Sequence, residues 1–107
     1  MTNILFLDVE TTIFNKGHYA DPRNFLVSYA YYFNGVICFK YFTDPDFISN
    51  LRERIQSANY ICGFNIKFDL HWLINVGITI PLNVKIWDCQ LAEHIYSGQS
   101  LPYDSLN

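Results

Sequence analysis

A chain of 107 residues, half of them apolar, is the size of one domain and can bury a core without disulfide or metal staples. Its net charge of -3, with seven Lys and Arg against ten Asp and Glu, excludes a protein that coats nucleic acid through its own basic surface. Cys38, Cys62 and Cys89 show no Cys-x-x-Cys spacing, and neither a secretory leader nor a stretch long enough to span a bilayer is visible, so reduced, buried thiols in a soluble cytoplasmic protein are expected. Nine Phe and eight Tyr, many of them in β-branched runs, favour α/β or α+β over a helical bundle.

Asn3 to Asp8 is an apolar run without alternation, the pattern of a central strand covered on both faces, and Asp8 to Glu10 continue it. Asn15-Lys16-Gly17 and Asp21-Pro22 mark a polar loop. Phe25 to Phe33 and Val36 to Phe42 read as two strands, and Asn34-Gly35 between them is a strong hairpin signal. Asp44 then serves as N-cap and Pro45 as first residue of a helix whose apolar face carries Phe47, Ile48, Leu51 and Ile55. Asn59 to Gly63 predicts a fourth strand, parallel to the first through a crossover.

A second helix over 66–76 is stopped by Gly77 and carries Asp69 in its early turns. Asn83 to Trp87 predicts a fifth strand, and Asp88 caps a third helix with Leu91, Ala92 and Ile95 on its apolar face, closed by Gly98. The remaining residues look like a loop. No repeat or linker divides the chain, so residues 1–107 are expected to form a single domain.

The chemistry sits in the acids. Residues i and i+2 of a strand point to one side, so Asp8 and Glu10 project together where the first strand ends. Two carboxylates so placed repel unless a cation lies between them. Ligands of open sheets collect beyond the carboxyl ends of parallel strands, and the helix after strand four starts at that edge, bringing Asp69 towards the pair. Hard oxygens without nearby His or Cys suit Mg²⁺ or Mn²⁺, and two such ions can drive phosphodiester cleavage. On spacing alone, a lone Asp-x-Glu at a strand end is more often a cap or a solvated turn than a ligand pair. His71 and His94 share no metal-ligand spacing with another His and read as helix-surface or packing residues, while Trp72 and the Tyr29 to Phe33 stripe read as core.

Leu7-Asp8-Val9-Glu10-Thr11-Thr12 resembles the first motif of the DEDD exonuclease superfamily, and Asn65-Ile66-Lys67-Phe68-Asp69-Leu70 resembles the second. The likeness extends to Asp21-Pro22-Arg23-Asn24, Gly63-Phe64-Asn65 and the run from Trp87 to His94, and the whole looks like the proofreading domain of a bacteriophage-type family A DNA polymerase. It implies a ribonuclease H-like α/β fold, with a five-stranded mixed sheet of order 3-2-1-4-5 flanked by helices, acting on the 3′ end of single-stranded DNA. It further implies that Asp8 bridges two metals, Glu10 ligates one and orients water, and Asp69 supports the second. Asn65 then holds the substrate backbone, and Thr11 and Thr12 reach the terminal nucleotide, although local hydrogen bonding explains the threonines equally well. Asp88 supports the site from behind in addition to its capping role.

The family's third motif, a Tyr or His four residues before a fourth Asp, is not found; Asp104 directly follows Tyr103 and does not reproduce the spacing. A missing last helix predicts an exposed apolar patch on the sheet. Three readings stay open: an exonuclease piece completed by a polymerase portion, a catalytically inactive homologue that binds nucleic acid or protein as an inhibitor or decoy, and a minimal nuclease completed by a homodimer partner or another acid. A phage-encoded version would act in the host cytoplasm.

Overall fold

A computed structural model describes residues 2–89. Its elements are β1 (Ile4–Thr11), a short 3-10 turn (Phe14–Gly17), β2 (Leu26–Phe33), β3 (Val36–Tyr41), α1 (Phe47–Ser57), β4 (Tyr60–Gly63), α2 (Ile66–Asn75) and β5 (Lys85–Asp88). The five strands form one mixed sheet in the order β3-β2-β1-β4-β5, the order expected of a ribonuclease H-like sheet. β1, β2 and β3 are antiparallel neighbours, and β4 and β5 run parallel to β1. The third helix expected beyond Asp88 lies outside the described residues, as do His94, Tyr103 and Asp104. Among the described residues, no helix is long and apolar enough to cross a membrane.

The β2–β3 hairpin closes at Phe33 and Val36, with Asn34 at φ 50° and Gly35 at φ 83°. Two successive positive φ values match the right-handed twist of the strands, which is why Asn-Gly is favoured there. Gly77, at φ 88°, sits just beyond α2, where a left-handed residue ends a helix without a Cβ penalty.

α1 starts two residues later than the Asp44-Pro45 pair suggests, with Asp46 at the cap position. The Asp44 carboxylate instead accepts a hydrogen bond from the Tyr41 backbone N–H (2.8 Å), and its carbonyl accepts one from Phe47 N–H (3.1 Å). Turn bonding thus consumes the residue that would have capped the helix. Asp46 does not cap through its side chain; it pairs with Lys40 at 3.0 Å.

The core lies on one side of the sheet. Leu5, Leu7 and Val9 of β1, Tyr29, Tyr31 and Phe33 of β2, and Ile61 of β4 pack with Phe47, Leu51 and Ile55 of α1 and with Ile66, Trp72 and Leu73 of α2. Polar ends inside this layer are paired: Tyr29 Oη donates to the Phe47 carbonyl (2.7 Å) and Tyr31 Oη to Asn50 Oδ1 (2.9 Å). Burial pushes the Tyr31 phenol up to about 12 and the Tyr29 phenol above its ordinary range, so both stay neutral donors.

The expectation that β1 is covered on both faces is corrected. Its burial alternates strictly, and Phe6 on the second face keeps 45% of its surface exposed. The apolar run failed to alternate in sequence because this second face is itself apolar near the start of β1. Phe6 packs edge to face on Tyr32 (6.1 Å), and Ile37 and Phe39 continue the exposed face across β3. The expected apolar patch on the sheet is therefore present among the described residues. The three cysteines are free thiols, but only Cys62 is buried; Cys38 and Cys89 are half-buried.

Candidate acidic site at the end of β1

Asp8 and Glu10 lie on the exposed face of β1, opposite Ala30 and Ser28 of β2. Small neighbours across the strand leave both carboxylates uncrowded. On the other edge, the pairing of β1 with β4 runs only from Ile4–Tyr60 to Phe6–Cys62. β1 therefore outruns β4, and α2 enters the gap alongside Asp8 to Glu10.

Gly63 makes that entry close. A Cβ at this position would lie 2.7 Å from the Leu7 carbonyl oxygen and 2.8 Å from Ile66 Cδ1, so only glycine lets the end of β4 turn against the residue preceding Asp8. The chain then passes through Asn65 in the left-handed region (φ 59°, ψ 50°), a conformation that Asn tolerates better than most residues. Asp88, paired in register with Gly63 at the end of β5, fixes this turn: its Oδ1 accepts a hydrogen bond from Asn65 N–H at 3.1 Å. The Asn65 side-chain amide makes no cap bond to α2.

Asp69, in the first turn of α2, is 3% exposed, and its Oδ2 is buried with no hydrogen-bond partner. Burial, the largest cause, pushes its carboxyl up to about 8; the charge of Asp8 adds to the rise, a hydrogen bond with the Val9 backbone opposes it, and Glu10 and Asp88 raise it further. Four carboxyl groups from β1, α2 and β5 thus share one electrostatic neighbourhood. Among the described residues no three His, Cys, Asp or Glu side chains converge as a ready-made metal cage. The acids share a field without being closed around a point.

The fit to a hard divalent cation rests on two observations. The donors are all carboxylate oxygens, which suit Mg²⁺ or Mn²⁺. A buried carboxylate oxygen without a partner is also a costly feature, and a cation among these acids would relieve it.

The threonines after Glu10 are engaged locally. Thr11 Oγ1 donates to the Thr12 carbonyl (2.9 Å). Thr12 Oγ1 donates to Asn24 Oδ1 (2.9 Å) and accepts from Phe25 N–H (3.0 Å). Asn24 also donates to the carbonyls of Phe14 and His18, so one amide side chain ties the loop after β1 to the start of β2. Sequence reasoning placed Asn24 within a motif but assigned it no role. The membership of Asp88 in the acidic field was legible only as a supporting role, because the parallel β4–β5 register that carries it there is a long-range feature.

No protein-family model matches this chain, and no curated protein matches it either.

Proposed function

We propose that this chain is the nuclease module of a divalent-cation-dependent 3′-to-5′ exonuclease of the DEDD proofreading type, acting on single-stranded DNA. The observation that carries this reading is Asp69: a buried carboxyl with an unpartnered oxygen, held by α2 and the close approach at Gly63 in the field of Asp8 and Glu10. Core packing does not require such an arrangement, and like charges oppose it.

In this reading Asp8, Glu10 and Asp69 hold two Mg²⁺ or Mn²⁺ ions, which supply water activation and neutralise charge on the phosphate. Asp8 and Glu10 present their carboxylates on the open face of β1, where a DNA end can approach. Asn65, with its side-chain amide unused at the helix cap, binds the sugar-phosphate backbone. Thr11 and Thr12 shape the loop that borders the terminal nucleotide. A polymerase portion or a second copy of the chain supplies the acid that the relatives of this site place in their third motif.

The apolar face formed by Phe6, Tyr32, Ile37 and Phe39 favours a second reading, a catalytically inactive module that binds protein or nucleic acid. One assay separates the two. With 3′-labelled single-stranded DNA and Mn²⁺, alone and with a polymerase fragment added, the first reading expects nucleotides lost from the 3′ end, reduced about 100-fold or more by Asp8→Ala. Intact DNA under both conditions favours the inactive module.

A further inference from the structure

A second site lies on the other side of α2. Three successive residues, Asn15 (φ 49°), Lys16 (φ 58°) and Gly17 (φ 77°), adopt left-handed backbone. Strain of this kind in non-glycine residues persists only where surrounding structure enforces it, and it clusters at binding sites. Here the enforcement is visible. Trp72 Nε1 donates to the Gly17 carbonyl at 3.0 Å from inside the core, and a Cβ on Gly17 would meet Thr11 Oγ1 at 3.0 Å and Phe68 Cζ at 3.3 Å.

The constrained turn delivers His18 and Tyr19 to α2. Tyr19 stacks on His18 (centroids 4.8 Å, 18° between planes) and on His71 (4.8 Å, 6°). Tyr19 is the shared ring, so His18 and His71 form the ends of the run. Phe68 and His71 recur at i and i+3 along one side of α2, just after the Asn65 cap, while Asp69 is buried beside the other acids. Together with Asn15, Lys16 and Lys67 these residues line an open pocket of about 520 Å³. Lys16 and Lys67 are exposed, and neither forms an ion pair among the described residues.

We propose that this pocket is a single-stranded nucleic-acid subsite, in which the His18–Tyr19–His71 stack takes a nucleobase and Lys16 and Lys67 take the adjoining phosphates. A ring run with exposed members accepts any base, because every base has a π-face. Two unpaired ammonium groups beside it supply the charge that the acidic edge cannot. Asn65 lines the pocket, and its backbone N–H donates to Asp88, a member of the acidic field, so the pocket and the acids meet at this residue. The choice of ligand rests on the nuclease reading, but the binding does not require cleavage.

The test measures anisotropy of fluorescein-labelled oligo(dT) and oligo(rU) with the full chain in EDTA, across a salt series. Tyr19→Ala is expected to weaken binding about 5- to 100-fold and Tyr19→Phe to restore it, since a phenyl ring stacks as well. Lys16→Gln with Lys67→Gln should lower the slope of log affinity against log salt by roughly 1.4. Equal affinity and slope in wild type and variants, with circular dichroism showing all of them folded, overturns the proposal, as does the absence of any oligonucleotide binding by wild type. Hydrolysis of thymidine 5′-p-nitrophenyl phosphate with Mn²⁺ reports the acidic site separately. Absence of that hydrolysis both alone and with a polymerase fragment added, with Tyr19-dependent binding retained, contradicts only the nuclease reading, and the converse contradicts only the subsite. A preference between the DNA and RNA probes identifies the strand chemistry.

Discussion

The two faces of β1 are built from alternate residues of one strand and serve opposite ends. Leu5, Leu7 and Val9 face α1 and α2 and are almost completely buried, whereas Ile4, Phe6, Asp8 and Glu10 face outward. The inward residues hold the fold together. The outward ones begin as an apolar surface and end as an acidic one, so that the carboxylates stand where β4 has stopped pairing and α2 brings in Asp69. A strand can carry a core face and an acidic face at once because its side-chain period keeps the two apart.

That division can be tested residue by residue. Leu7→Ala, one position from Asp8, is expected to lower unfolding free energy by about 2–5 kcal/mol in urea titrations, the ordinary cost of a cavity in a packed core. A loss under about 1 kcal/mol would mean that the inward face does not carry the core.

Asp69 should show itself in the pH dependence of stability without added cation. Its folded carboxyl titrates at about 8 instead of the ordinary 3.8, so the folded state keeps a proton that the unfolded chain releases. The sign follows. Its contribution is fully present below the unfolded value, is lost as pH rises through the interval up to about 8, and is flat above it. Urea unfolding across that interval should show a fall on the order of a few kcal/mol, which Asp69→Asn removes. An unchanged slope in Asp69→Asn would contradict the buried placement of this acid.

Gly63→Ala sharpens the boundary between the faces, since the added methyl meets the Leu7 carbonyl at 2.7 Å. The expected loss is about 1–3 kcal/mol together with weaker divalent-cation binding, because the strain falls where α2 enters beside Asp8. Stability loss alone, with cation binding intact, would separate the glycine from the site. Phe6→Thr, on the outward face, should change stability by less than about 1 kcal/mol and reduce any self-association seen by sedimentation. A core-sized loss there would show that the outward face is packed in solution.

Much of this arrangement was legible because its signals are local. Asn34-Gly35 announces the hairpin, Gly77 the end of α2, and the order of elements leaves few ways to place β4 beside β1. The Asp8–Glu10 pair follows from strand periodicity alone. The features that escaped depend on competition or on distance. Asp44 has the chemistry of a helix cap, but the turn after β3 claims it first. The Asn3 to Asp8 run reads the same whether one face is covered or two, because both faces are apolar until Asp8. The His18–Tyr19–His71 stack joins a strained loop to a helix more than fifty residues later, and the spacing of these residues gives no sign of it.

The central claim is that Asp8, Glu10 and Asp69 act together on a divalent cation. Electron paramagnetic resonance of free Mn²⁺ during titration with the protein tests it most directly. Wild type should remove free ion from solution, with Asp8→Ala and Asp69→Asn each removing much less. Equal free Mn²⁺ in all three samples, at the level of buffer alone, would contradict the claim.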